Sequence, residues 1–167
     1  MRKAIFSGSF DPFTLGHLDI VVRASNIFDK VTIAIAKSNS KNSYFTLEDR
    51  VKIVQKSISK LDNQFLDKIE VISFDGLLVD LLKSQNSTFI IRGLRNSTDY
   101  DYEVAMENAN KKLLKECETI YLQTSPKYSY ISSSIVKSIM INDGDISKMV
   151  EKNALKTINK IRNKIDK

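Results

Sequence analysis

The chain has no tryptophan, one histidine, one cysteine, two prolines and five glycines in 167 residues. Cys117 alone permits no internal disulfide, and one His17 beside one cysteine leaves no Cys/His cluster of zinc-ligand spacing. A protein-held transition metal is therefore not expected. No apolar run approaches the roughly 20 residues that span a bilayer. The amino-terminal MRKAIFSGSFDP also lacks a signal-peptide core and cleavage pattern, so the mature chain is expected to begin at Met1 in the cytoplasm, away from membranes. No linker rich in Pro, Gly or Ser divides the chain and no internal repeat is visible, so residues 1–167 read as a single domain.

What is present is an ordinary globular composition, 42% apolar and 28% charged. The net charge of +6 fits an anionic partner, either nucleic acid or a small polyphosphate, and does not choose between them. Much of the excess lies in EKNALKTINKIRNKIDK, where Leu155, Ile158, Ile161 and Ile165 recur at helical spacing with lysines between them. This segment reads as an amphipathic helix with a solvated basic face.

Apolar runs of strand length alternate with segments of helical period. Lys3 to Phe6, Val31 to Ala36, Ile69 to Phe74, Thr88 to Arg92 and Thr119 to Gln123 are rich in β-branched and aromatic residues with little polar alternation, as strands buried on both faces require. Between them Leu18, Val21, Val22 and Phe28 form one helical stripe, and Leu47, Val51, Val54, Ile58 and Leu61 form another, opened by Thr46 as N-cap with Asp49 in the first turn. Leu77 to Lys83 and Tyr100 to Glu116 read as two further helices. The order predicts an α/β fold with a doubly wound, five-stranded parallel sheet, followed by C-terminal helices.

Ligands of such sheets bind beyond the carboxyl ends of the strands. There the chain places SGSFDPFTLGH, KSNSKNSYF, RGLRNSTDYDYE and TSPKYSYISSS, which hold an unusual share of its Gly, Ser and loop-borne cations. His17 falls in a first helical turn, where it either meets an anion or only caps and packs. Arg92 and Arg95 flank Gly93 and suit phosphate oxygens, or pair with Asp99 or Asp101. Ser132, Ser133 and Ser134 lie at a helix start, where one hydroxyl suffices for a cap and three invite a second use. Convergence of these loops on one sheet edge favours a shared anionic ligand.

GSFDPFTLGH resembles the GTFDPxTxGH signature of the nucleotidyltransferase superfamily with an HxGH-type motif, and ISSS resembles its second signature. With IIRGLR and the Lys41 loop, the chain is identified as a member of the bacterial phosphopantetheine adenylyltransferases, the likeness running from Lys3 to about Asp145. The resemblance implies a Rossmann-like nucleotidyltransferase fold and a reaction in which ATP and 4′-phosphopantetheine give dephospho-coenzyme A and pyrophosphate by direct attack on the α-phosphorus. It implies that His17 donates to the α-phosphate in the transition state and that Ser9 orients the attacking phosphate and contacts ATP beside Phe10. Lys41 and Arg92 would hold the acceptor phosphate, Lys41 also serving the transition state, and Leu78 would line the pantetheine arm. Gly93, Leu94, Arg95 and Glu103 would contact ATP, as would Tyr128, Ser129, Tyr130, Ile131, Ser132, Ser133 and Ser134. Mg²⁺ would arrive on ATP, coenzyme A could act as a feedback ligand, and the assembly would be a homohexamer. Ser9 stands where Thr is most frequent, Ser7 where Pro is common, and Tyr128 where Trp is frequent.

Two other readings compete. A related transferase could use nicotinamide mononucleotide or glycerol phosphate as acceptor, against which RGLRNSTDYDYE and Lys41 speak. A nucleic-acid-binding module would bind with steep salt dependence, but the cations cluster with glycines and serines and lack interleaved aromatics.

Overall fold

The computed structural model describes residues 1–37 and 43–165. Strands β1 (Lys3–Gly8), β2 (Lys30–Ala36), β3 (Ile69–Phe74), β4 (Phe89–Leu94) and β5 (Glu118–Gln123) form one sheet in the order β3-β2-β1-β4-β5, every neighbouring pair parallel. The helices among the described residues are α1 (Leu15–Ala24), α2 (Leu47–Ile58), α3 (Asn63–Leu66), α4 (Leu78–Ser84), α5 (Ser97–Leu113), α6 (Ser133–Ile141) and α7 (Lys152–Ile165). The doubly wound parallel sheet expected from the β/α alternation is what the chain forms. From β1 the path runs outward to β3, then returns across β1 to β4, which opens a crevice at the carboxyl ends of β1 and β4.

Side-chain alternation divides the sheet into two faces. Ala4, Phe6, Val31, Ile33, Ile35 and Ile91 pack against Ile20 and Val21 of α1, Ile53 and Val54 of α2, Val136 and Met140 of α6 and Ile158 of α7. Ile5, Ala34 and Ile90, each one residue out of phase, face Leu82 of α4 and Cys117. The lone cysteine is thus a small buried core residue.

Two strands run further than their composition suggests. β1 continues through Ser7 and Gly8, and β4 continues beyond Arg92 through Gly93 and Leu94, because each has a neighbour on which to pair: Gly8 lies opposite Ile35 and Gly93 opposite Leu122. Ladder pairing overrides the weak strand preference of serine and glycine. α1 stops at Ala24, short of Phe28, although Phe28 is buried against Phe89. α5 begins at Ser97 instead of Tyr100, since the Asn96 side chain accepts from Asp99 N–H at 2.9 Å and caps it there. α3 and the 3₁₀ turn Pro126–Tyr128 are too short for helical periodicity to reveal.

The amphipathic C-terminal segment forms α7 as expected and lies along α2, sealing the first face with Ala154, Ile158 and Ile161. Its role is structural support for the helix whose amino end borders the site. Ile158 is fully buried, so Ile158→Ala is expected to cost roughly 2–4 kcal/mol of unfolding free energy in a denaturant titration.

Candidate active site

The site begins where β1 ends. The chain reverses through Phe10, which holds a left-handed backbone (φ 48°), and through a cis Asp11–Pro12 bond. The Phe10 ring turns inward between Phe6 and Phe13, with centroid separations of 5.3 and 5.2 Å. Two buried charges hold this turn. Arg50 of α2 is 2% exposed, and its Nη1 donates to the carbonyls of Ser9 (2.7 Å) and Ala36 (2.9 Å). The Asp11 carboxylate accepts from Tyr44 N–H and Phe45 N–H, both at 2.9 Å, and from Lys137 Nζ at 3.2 Å. The turn is thereby fastened to β2, to the entry of α2 and to α6.

His17 is the third residue of α1, and its imidazole stands where a capping box usually has a Glu side chain. Thr14 N–H donates to Nδ1 at 3.0 Å, while His17 N–H donates to Thr14 Oγ1 at 3.4 Å. Because Nδ1 accepts a main-chain N–H, the neutral ring must carry its proton on Nε2. Phe10 and Phe13 surround the ring with centroids at 5.1 and 5.2 Å, and Phe6 lies at 6.1 Å. Burial, and secondly the positive charge of Arg95, lower its pKa from 6.5 to about 4. At neutral pH His17 is therefore an uncharged hydrogen-bond donor, and the choice between capping and ligand contact dissolves: Nδ1 caps, and Nε2–H remains.

A cavity of about 440 Å³ at this edge brings together Ser9, Phe10, His17, Arg92, Gly93, Arg95 and Glu103 with Ile131, Ser132, Ser133 and Ser134. Arg92 pairs with Glu103 (Nε to Oε2, 2.8 Å) and donates from Nη1 to the carbonyl and hydroxyl of Ser7. Arg95 donates from Nε and Nη2 to the two oxygens of Asp99, at 2.9 and 2.8 Å. Burial pushes the Asp99 carboxyl up, but its hydrogen bonds from Arg95 and the Arg95 charge bring it below its ordinary value. Gly93 packs closely: a Cβ there would lie 3.1 Å from Cγ1 of Ile20 on α1, which would have to give by a few tenths of an ångström. The three serines divide their work. Ser132 caps α6 by accepting from Ile135 N–H, Ser133 donates to the Pro12 carbonyl at 2.8 Å, and Ser134 is exposed at the cavity.

Leu78, Leu94, Tyr128, Ser129 and Tyr130 are not among the residues lining this cavity. Leu78 packs in the second core cluster, Tyr128 packs against the first, and Tyr130 is exposed. Lys41 lies outside the described residues. Sequence reasoning passed over Thr14, Asp11 and Arg50. Two of them carried a signal: Thr14 precedes an apolar helical run as an N-cap does, and Arg50 falls on the apolar stripe of α2, three residues after Leu47 and four before Val54. Glu103 and Asp99, rather than Asp101, are the partners of the two arginines.

Fixed neutral donors and paired guanidinium groups around one crevice suit phosphate oxygens whose charge changes during a reaction. Comparison with known proteins agrees. Residues 5–139 match the model of the family described as cytidylyltransferase-like. The chain is 50% identical over 153 residues to a phosphopantetheine adenylyltransferase of Campylobacter hominis, covering 92% of this chain and 93% of that one. It is 43% identical over 152 residues to the Clostridium perfringens phosphopantetheine adenylyltransferase, covering 91% and 90%. Among solved structures, the Plasmodium falciparum nicotinic acid mononucleotide adenylyltransferase complexed with NaAD superposes with a TM-score of 0.75 at 20% identity, over 96% of this chain and 95% of that one, a likeness of fold.

The half-buried imidazole predicts a pH response. The folded ring binds a proton more weakly (pKa about 4) than the unfolded one (6.5), so between these values the unfolded chain takes up the proton first. Stability is expected to fall as pH drops from 6.5 toward 4, and His17→Asn should remove that share of the decline in thermal melts across the range.

Proposed function

The chain belongs to the cytidylyltransferase-like family, alongside phosphopantetheine adenylyltransferases, and on that premise we propose that it transfers the adenylyl group of ATP to 4′-phosphopantetheine. A phosphate oxygen of the acceptor forms a bond to the α-phosphorus of ATP. The bond from that phosphorus to the bridging oxygen breaks, and its electron pair leaves with pyrophosphate; the products are pyrophosphate and dephospho-coenzyme A. The chain's own residues act by position and charge, as phosphoryl-type transfers allow. His17 donates Nε2–H to an α-phosphate oxygen, Ser9 orients the acceptor phosphate, and Arg92 with Lys41 binds it. Gly93, Arg95, Glu103 and the Ile131 to Ser134 segment hold ATP. The observation that carries this mechanism is the His17 ring, neutral and locked by Thr14, at the same cavity as Arg92 and Arg95.

Mg²⁺ is proposed to enter on the ATP phosphates and to supply charge neutralisation there. That suits a cavity whose carboxylates, Asp99 and Glu103, are each engaged by an arginine. A homohexamer is proposed as the working assembly. Its support is the 17-residue α5, of which only Asn110 is buried in the monomer, beside edge strand β5. Coenzyme A, which contains the product's skeleton, is proposed as a feedback ligand of the same cavity.

An acceptor panel tests the reading. Pyrophosphate release from ATP is expected with 4′-phosphopantetheine and not with nicotinamide mononucleotide or glycerol phosphate; turnover with either of those instead would overturn it. His17→Ala is expected to lower turnover roughly 100-fold or more while ATP still binds, the size of losing one preorganised donor. Loss of ATP affinity with turnover of bound substrate intact would make His17 a binding group only.

A further inference from the structure

Ser7 and Arg92 are neighbours by sheet register. Phe6 lies opposite Ile91 in the parallel β1–β4 ladder, so the next pair along brings Ser7 beside Arg92. Both share the phase of Ile5 and Ile90, which face the second core cluster, and α5 packs against β4 and carries Glu103. There Arg92 Nη1 donates to Ser7 Oγ at 2.9 Å as well as to the Ser7 carbonyl at 2.6 Å, while Nε meets Glu103 at 2.8 Å. Ser7 is only 7% exposed and lines the cavity with Arg92.

We infer that Ser7 is a positioning residue, whose hydroxyl aims the Arg92 guanidinium at the phosphate of the acceptor. The inference rests on the reading of Arg92 as a ligand of that phosphate. The two side-chain acceptors that hold Arg92 differ in kind. Glu103 brings a negative charge that repels an incoming phosphate and competes with it for the same cation. The Ser7 hydroxyl brings none, so it holds the fork in plane with no electrostatic cost to the ligand. Glu103 engages Nε and the main-chain carbonyl engages Nη1, so the hydroxyl is a second acceptor on that same nitrogen. Carried by a strand paired on both sides, it adds a neutral restraint on the guanidinium that does not depend on Glu103.

The test compares Ser7→Thr and Ser7→Val, which match in shape and differ in the hydroxyl, with Ser7→Ala and Arg92→Ala alongside. Steady-state kinetics are measured against ATP and 4′-phosphopantetheine separately, with thermal melts for each variant. Ser7→Val and Ser7→Ala are expected to raise the KM for the acceptor roughly 3- to 10-fold, the size of one ordinary hydrogen bond lost while the carbonyl and Glu103 contacts stay. KM for ATP and turnover at saturation are expected to hold, and Ser7→Thr is expected to retain the parental KM. An unchanged acceptor KM in Ser7→Val, or a loss shared equally by ATP and acceptor, would overturn the inference while Arg92→Ala still weakens the acceptor. An Arg92→Ala variant with parental acceptor KM would instead overturn the reading of Arg92 itself, and the role of Ser7 with it.

Discussion

Two buried charges under one reverse turn fasten the end of β1 to β2, to the entry of α2 and to α6. Arg50 joins the carbonyls of Ser9 and Ala36, which belong to the ends of adjacent strands, and Asp11 gathers two main-chain N–H groups from the entry to α2. A buried charge is costly unless nearby groups bond it. Asp11 accepts from two main-chain N–H groups and from Lys137, whereas Arg50 spans two carbonyls through Nη1 while its buried Nε finds no hydrogen-bond partner among the described residues. The left-handed Phe10, the inward aromatic cluster and the start of α1 all belong to the stretch these contacts hold.

From that turn onward the site separates two kinds of donor. His17 is uncharged and enclosed by aromatic rings, so its strength toward an oxygen depends on geometry and low polarity. Arg92 and Arg95 are permanent cations, and each is carried with its own carboxylate, Glu103 or Asp99. Such pairing lets two positive charges share the cavity with a neutral imidazole, each balanced by a carboxylate. The Arg95 charge still reaches His17 and helps to keep it unprotonated.

The sheet was readable from the chain because both of its faces are covered, so the strands had to be continuous apolar runs. Its ends were not, since Ser7, Gly8, Gly93 and Leu94 extend strands by pairing with neighbours that local composition does not reveal. The same limit applied to the site. Arg92, Arg95 and the Ser132 to Ser134 run stand out by type and loop position, His17 gains weight only by converging with them, and Ser9 is marked only by the family resemblance. The fold brings all of them to one cavity. Their supports are legible only in three dimensions: Glu103 lies eleven residues from Arg92, and Arg50 meets a carbonyl forty-one residues away. The separate tasks of Ser132 and Ser133, one a cap and one a brace on Pro12, likewise depend on contacts that no spacing rule contains.

The imidazole that completes the first turn of α1 has an implication for how this chain can change over generations. In many enzymes the reactive group is a liability for the fold, and replacing it stabilises the protein at the cost of function. Here the ring proposed to donate to the ligand also accepts a main-chain N–H at a helix start, the return bond of a capping box. Drift toward greater robustness would therefore favour side chains that keep this bond, histidine and glutamate alike, and discarding the ring for a residue that cannot cap brings no automatic gain in stability.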